Sequence, residues 1–149
     1  MYKAILVPLD GSKRAEAILP HVEELAKSNA AKVIFLHVIE SKPFIIGPEF
    51  AYVDKYQEML DQLSEESEKY LNGLRGKFSE KQIKADICLS HGSVVEEIIR
   101  AANQEGVDLI AIASHGRTGL AKAFYGSVAA GVLHRIDRPL LLIRSDEQG

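Results

Sequence analysis

The sequence predicts an α/β fold, a single open parallel sheet with helices on both faces, and three observations predict it. Ala4-Ile5-Leu6-Val7, Val33-Ile34-Phe35-Leu36, Leu109-Ile110-Ala111-Ile112 and Leu140-Leu141-Leu142-Ile143 are short, continuously apolar runs bounded by polar or turn residues, the pattern of strands buried on both faces. Stretches with apolar residues at helical spacing fill the gaps between them. The resulting alternation of strand and helix, closed by a last strand, implies parallel pairing with right-handed crossovers.

The first helix is predicted from Ala15, Ile18, Leu19, Val22, Leu25 and Ala26, with Ser12 as its N-cap. Pro20 lies inside this stretch and predicts a kink or an earlier helix end, since proline costs about 3 kcal/mol in a straight helix interior. Tyr56, Met59, Leu60, Leu63, Tyr70, Leu71, Leu74 and Phe78 mark a long second helix, loosened at its far end by Gly73 and Gly76. Between Ile83 and Leu89 apolar residues alternate with Lys84, Asp86 and Cys88, which predicts a one-sided strand near a sheet edge. Ser93-Val94-Val95-Glu96 has capping-box spacing, Ile98, Ile99 and Ala102 continue the stripe, and Gly106 stops this third helix. Ser41 to Phe50, with Pro43, Gly47 and Pro48 around Phe44-Ile45-Ile46, reads as an irregular connection, either a packed surface loop or a lid.

With 149 residues, 46% hydrophobic and 26% charged, the chain is expected to form one domain, residues 1–149, with a sizeable core. No apolar run approaches the roughly 18 residues of a membrane helix, and Met1-Tyr2-Lys3 enters a strand rather than a secretory signal, so a cytoplasmic protein is expected. Cys88 is the one cysteine, which excludes an internal disulfide. A net charge of −3 supplies no field for nucleic acid, and Arg135, Arg138 and Arg144 are too few for a polyanion track. The histidines at 21, 37, 91, 115 and 134 show no metal-ligand spacing with one another or with Cys88.

The most informative segment runs from Ala113 to Val128. Ala113-Ser114-His115-Gly116 follows the fourth strand; residues 117–125, nine in number, lead to Gly126-Ser127-Val128, and Val128, Val132 and Ile136 form the next helical stripe. This reads as strand, glycine loop, helix. A helix start leaves backbone N–H groups unpaired and carries the positive end of the dipole, so phosphate is attracted there. Gly116 and Gly126 give the main chain room to approach an anion, and Ser127 caps the helix or donates its hydroxyl. The competing reading makes Gly116 a turn residue and Gly126-Ser127 a plain N-cap. Neither G-x-x-x-x-G-K-[ST] nor G-x-G-x-x-G is present.

In open α/β sheets ligands bind outside the carboxyl ends of the strands, where the winding reverses. Asp10, past the first strand in Pro8-Leu9-Asp10-Gly11-Ser12, lies there with Ala113 to Gly116 if strands one and four are neighbours. It either accepts from ribose hydroxyls, holds Mg²⁺ through water and phosphates, or merely caps a turn. Arg117 and Lys122 are placed to offset phosphate charge or to sit solvated. No nucleophile and base pair accompanies His115, and no catalytic residue is assigned.

These residues resemble the universal stress protein family over nearly the whole chain. Ile5-Leu6-Val7-Pro8-Leu9-Asp10-Gly11-Ser12 looks like that family's first strand and turn, Leu36-His37-Val38-Ile39 like its second strand end, and His91-Gly92 is similar too. Most specific is the C-terminal loop, where ATP-binding members carry G-x-x-G, nine residues, then G-[ST]; here Ala113 replaces the first glycine. The resemblance implies a Rossmann-like five-stranded sheet of order 3-2-1-4-5, of the adenine nucleotide alpha hydrolase-like kind. It implies ATP, ADP or AMP as ligand, with Mg²⁺ or Mn²⁺. Carried over by position, the nucleotide contacts are Pro8, Leu9, Asp10, Val38, Ala113, Ser114, His115, Gly116, Arg117, Gly119, Gly126, Ser127 and Val128, with Asp10 the candidate for the metal. It also implies a homodimer through strand five, Leu140 to Ile143, whose apolar edge would otherwise be exposed. The expected function is ATP-dependent regulation in a stress response. A weak ATP hydrolase or phosphotransferase and a nucleotide-independent dimeric adaptor are the alternatives.

Overall fold

The computed structural model of the chain describes residues 1–40, 51–115 and 120–145, with side chains for all of these except 51–54, 115 and 120–125. Five strands, β1 (Ala4–Pro8), β2 (Lys32–Ile39), β3 (Ala85–His91), β4 (Leu109–His115) and β5 (Leu140–Ser145), form one sheet of order β3-β2-β1-β4-β5. Every adjacent pair is parallel. The helices are α1 (Leu19–Asn29), α2 (Ala51–Glu80), α3 (Val94–Gln104) and α4 (Leu120–Arg135). The predicted connection from Ser41 to Phe50 lies outside the described residues.

The continuous apolar runs work because side chains alternate across a strand and both faces are covered. Ile5, Val7, Val33 and Phe35 pack with Val22 and Ala26 of α1 and with Leu71, Leu74 and Phe78 of α2. Leu6, Ile34, Leu36, Ile110 and Ile112 face the other way, onto Ile98, Ala101 and Ala102 of α3 and Val128 and Val132 of α4. Each fully buried Leu, Ile or Phe contributes about 1.5–3 kcal/mol, so these two layers hold the sheet between its helices. Phe35 meets Phe78 edge to face, centroids 4.9 Å apart.

Local departures from expectation have local causes. Pro20 neither kinks nor ends a helix: α1 starts at Leu19, so the ring occupies the first turn, where its missing N–H costs nothing. The residues before it, Ala15–Ile18, form a separate 3-10 turn; the N-cap positions are Arg14 and, for α1, Ile18 rather than Ser12, whose hydroxyl accepts the Ala15 N–H at 3.1 Å. The second helix runs through Gly73 and Gly76 to Glu80 without a break. Ile83 does not open β3; its N–H closes the end of α2 on the Phe78 carbonyl, with Gln82 at φ 66°. Ser93 occupies the N-cap of α3 without a side-chain bond, so the capping box does not form, while Gly106 (φ 60°) ends that helix region as expected. Arg138 fastens the same end, donating to the carbonyls of Ala102 (2.7 Å) and Val107 (3.0 Å) and to Asn103 Oδ1 (2.6 Å).

Candidate functional site

The topology puts the winding reversal between β1 and β4, and the ladder there is short. Only Ile5 with Leu109 and Leu6 with Ile110 are paired, whereas the β1–β2 ladder continues to Pro8 with Leu36 and is extended by the Leu9 N–H on the Leu36 carbonyl at 2.8 Å. Past Leu6 and Ile110 the two strands part, and a cleft of ≈ 210 Å³ opens at their carboxyl ends. Pro8, Leu9 and Asp10 at the end of β1 line it, with Leu36, His37, Val38 and Glu40 of the second strand and its end on one side and Ile112 of β4 on the other. Val94 and Ile98 of α3 and Val128 of α4 close it on the helical side. Whole ligand pockets are typically about 300 Å³ or more, so this cleft fits part of a ligand, a flat ring, rather than a complete nucleotide.

Charge enters at the rim. Asp10 and Glu40 are exposed, and the Asp10 carboxylate accepts the Ser12 N–H (2.9 Å) and Oγ–H (2.6 Å), which fixes the turn through Gly11 at φ 87°. Asp10 therefore is a turn cap, as one reading held, and also a cleft residue. His37 Nδ1 lies 2.7 Å from the Oγ of Ser67, a buried hydroxyl on α2. Burial lowers the His37 pKa below the usual histidine range, and the opposing pull of Asp10 does not restore it. One turn along α2, the Tyr70 hydroxyl donates to Glu16 Oε2 at 2.5 Å; burial, then this bond, pushes the phenol well above its ordinary value. Cys88 packs against the α3 and α4 layer, and burial raises its thiol pKa, consistent with a small apolar role.

The predicted contacts fall into three groups. Pro8, Leu9, Asp10, Val38 and Val128 line the cleft together. Ala113 and Ser114 are inside β4, opposite Ile143 and Arg144; the Ala113 side chain is packed into the α1 and α2 layer, and Ser114 Oγ donates to the Ile143 carbonyl at 3.5 Å. The backbone of His115 ends β4 opposite Ser145. Gly116, Arg117 and Gly119 lie outside the described residues, as does the side chain of Lys122. Gly126 and Ser127 are exposed but sit inside α4, which begins at Leu120 rather than at the glycine pair. Leu120-Ala121-Lys122-Ala123 are strong helix formers, which accounts for the earlier start. Among the described residues, a Cβ at Gly126 would meet no atom within 4 Å outside its own helix backbone. Leu36, His37, Glu40, Val94, Ile98 and Ile112 belong to the cleft without having been singled out; their signal is position, at strand ends or on the first turns of the third helix. Among the described residues no three His, Cys, Asp or Glu side chains gather to hold a metal, and no helix is long and apolar enough to cross a membrane.

Comparison with known proteins agrees with this architecture. Residues 1–144 match the model of the universal stress protein family. The chain is 30% identical over 155 residues to universal stress protein MJ0577 of Methanocaldococcus jannaschii, covering 97% of this chain and 96% of that one. The solved structure of MJ0577 superposes with a TM-score of 0.81 at 32% identity, covering 99% of both chains. A universal stress protein in complex with cAMP (TM-score 0.63, 18% identity, 97% of this chain and 98% of that) and one from Archaeoglobus fulgidus in complex with dAMP (0.67, 18%, 96% and 98%) share the fold. On sequence and fold alike, the chain belongs to the universal stress protein family.

Proposed function

We propose that the protein is a nucleotide-binding regulator of a stress response that takes the adenine ring of ATP, ADP or AMP into the cleft between β1 and β4. The observation that carries this reading is the cleft itself: an apolar slot at the winding reversal, with Val38 in one wall and the exposed Asp10 at the rim where a ribose would emerge. Relatives of the same fold in complex with cAMP and dAMP support an adenylate as the ligand class. The phosphates then extend toward the segment from Ala113 to Val128. Contact with the Gly126 and Ser127 amides requires the first turns of α4 to open, because those amides are within the helix. The open space at Gly126 admits the anion once they do. Mg²⁺ or Mn²⁺ would come with the phosphates, reaching Asp10 through water, and would supply charge neutralisation.

Calorimetric titration with ATP and Mg²⁺ tests this. Wild type is expected to bind at micromolar to millimolar nucleotide, and Asp10→Ala, which loses both the ribose acceptor and the Ser12 turn, to bind about tenfold more weakly, a loss of about 1.4 kcal/mol. No heat from wild type at millimolar ATP refutes the reading. A phosphate-release assay on the same pair separates regulation from hydrolysis: catalytic turnover that vanishes in Asp10→Ala would identify an enzyme.

The same reading assigns β5 to a homodimer. It is a sheet edge, with Leu142 43% exposed and Leu133 of the adjoining α4 59% exposed. A monomer mass by light scattering at micromolar concentration would rule that assembly out.

A further inference from the structure

We propose that Glu40 determines which base the cleft takes, its carboxylate accepting a hydrogen bond from an exocyclic amino group on the edge of the ring away from the sugar. The proposal rests on the nucleotide reading and gives that site its choice of base.

The pleat of β2 brings Glu40 to the cleft. Side chains two apart on a strand share a face, and Leu36 and Val38 both pack into the layer of α3 and α4 that closes the cleft. The ladder with β3 runs to the last residue of the strand, Ile39 opposite His91, and the Gly92 N–H donates to the Ile39 carbonyl at 3.0 Å. The extended backbone therefore carries the same alternation to Glu40. Leu36, Val38 and Glu40 form one row along the wall, two apolar residues followed by a charge at the rim. The His37 ring belongs to the other face of the strand, its Nδ1 2.7 Å from Ser67 Oγ on α2.

The other polar side chains of the cleft are committed elsewhere. Asp10 Oδ1 takes both the N–H and the Oγ–H of Ser12, and the residue stands at the rim position assigned to ribose. Two neighbouring carbonyls are spent as well, Leu36 on the Leu9 N–H and Ile39 on the Gly92 N–H. The remaining lining side chains are apolar. Glu40, by contrast, is exposed, and among the described residues its carboxylate has no hydrogen bond or ion pair.

A carboxylate only accepts, so it holds a ring edge that donates and gains nothing from one that does not. In adenine the sugar-bearing nitrogen and the amino group lie on opposite edges of the ring. Neighbouring strands are about 4.8 Å apart, comparable to the width of a purine, so a ring whose sugar leaves past Asp10 at the end of β1 presents its amino group to Glu40 at the end of β2. A charged acceptor strengthens such a bond, and water at an exposed rim competes with it. A preference of about tenfold for the amino-bearing ring, or about 1.4 kcal/mol, is expected.

The probes are AMP and the monophosphate of purine riboside, the same ring and the same charge with hydrogen in place of the amino group. Calorimetry is expected to show AMP bound about tenfold more tightly by wild type, and no more than about threefold more tightly by Glu40→Ala. Removing the Glu40 charge acts on both ligands alike, so the ratio of their affinities isolates the bond to the amino group. Equal affinities in wild type overturn the proposal without any variant, and so does a tenfold preference retained in Glu40→Ala. Failure of wild type to bind AMP at millimolar concentration overturns the nucleotide reading, and with it the proposal that rests on it.

Discussion

Gly126→Val is expected to weaken nucleotide binding about a hundredfold while leaving the fold of the ligand-free protein intact. Gly126 is exposed in α4, and among the described residues no atom outside its own helix backbone lies within 4 Å of where a Cβ would stand, so an added Cβ meets no described neighbour. Valine also has a better helix propensity than glycine, so the helix is not weakened. In the complex the branched side chain would occupy the place assigned to phosphate. Two lost bonds to an anion, at about 1.5 kcal/mol or more each, give about 3 kcal/mol and hence the hundredfold. Circular dichroism should superimpose on wild type while calorimetry shows the loss. Wild-type affinity in the variant would mean that the phosphates lie elsewhere.

Phe35→Ala carries the largest expected stability effect. Phe35 is fully buried at the centre of β2, with β1 and β3 paired on either side, and its ring meets that of Phe78 at 87°. Truncation removes the transfer energy of the ring, leaves a void that the flanking strands cannot collapse to fill, and breaks the aromatic pair. A loss of about 3–5 kcal/mol is expected, against a total of roughly 5–15 kcal/mol for a typical domain. Urea denaturation followed by fluorescence or dichroism reads it as a shift of the midpoint. A change below about 1 kcal/mol would show that this layer repacks freely, contrary to the packing density normal for interiors.

The sheet was legible in the sequence because strands covered on both faces leave an unmistakable trace. Ala4 to Val7, Val33 to Leu36 and Leu109 to Ile112 have no polar interruption, and each lies within an observed strand. What periodicity cannot show is how ends are closed. Ile83 fits the alternation of β3 yet its N–H is spent on closing α2, and Pro20 lies inside the predicted first helix yet occupies the first turn of one that starts at Leu19. Of the candidate contacts a motif marks, Asp10, Val38 and Val128 line the cleft. His37 and Glu40 lie near Val38 and also line the cleft, which exists only because the β1–β4 ladder stops after two pairs. Ala113 shows the converse: strand alternation sends its side chain to the layer opposite Ile112, so any part it plays in binding belongs to its backbone.

The two-rung ladder between β1 and β4 joins a three-strand part of the sheet to a two-strand part through only two paired residues on each strand. A molecule wedged between Val38 on one part and Ile112 and Val128 on the other would act as a dowel, bracing that joint against shear. Occupancy would then replace, with ligand contacts, the strand pairing that β1 and β4 lack past Leu6 and Ile110.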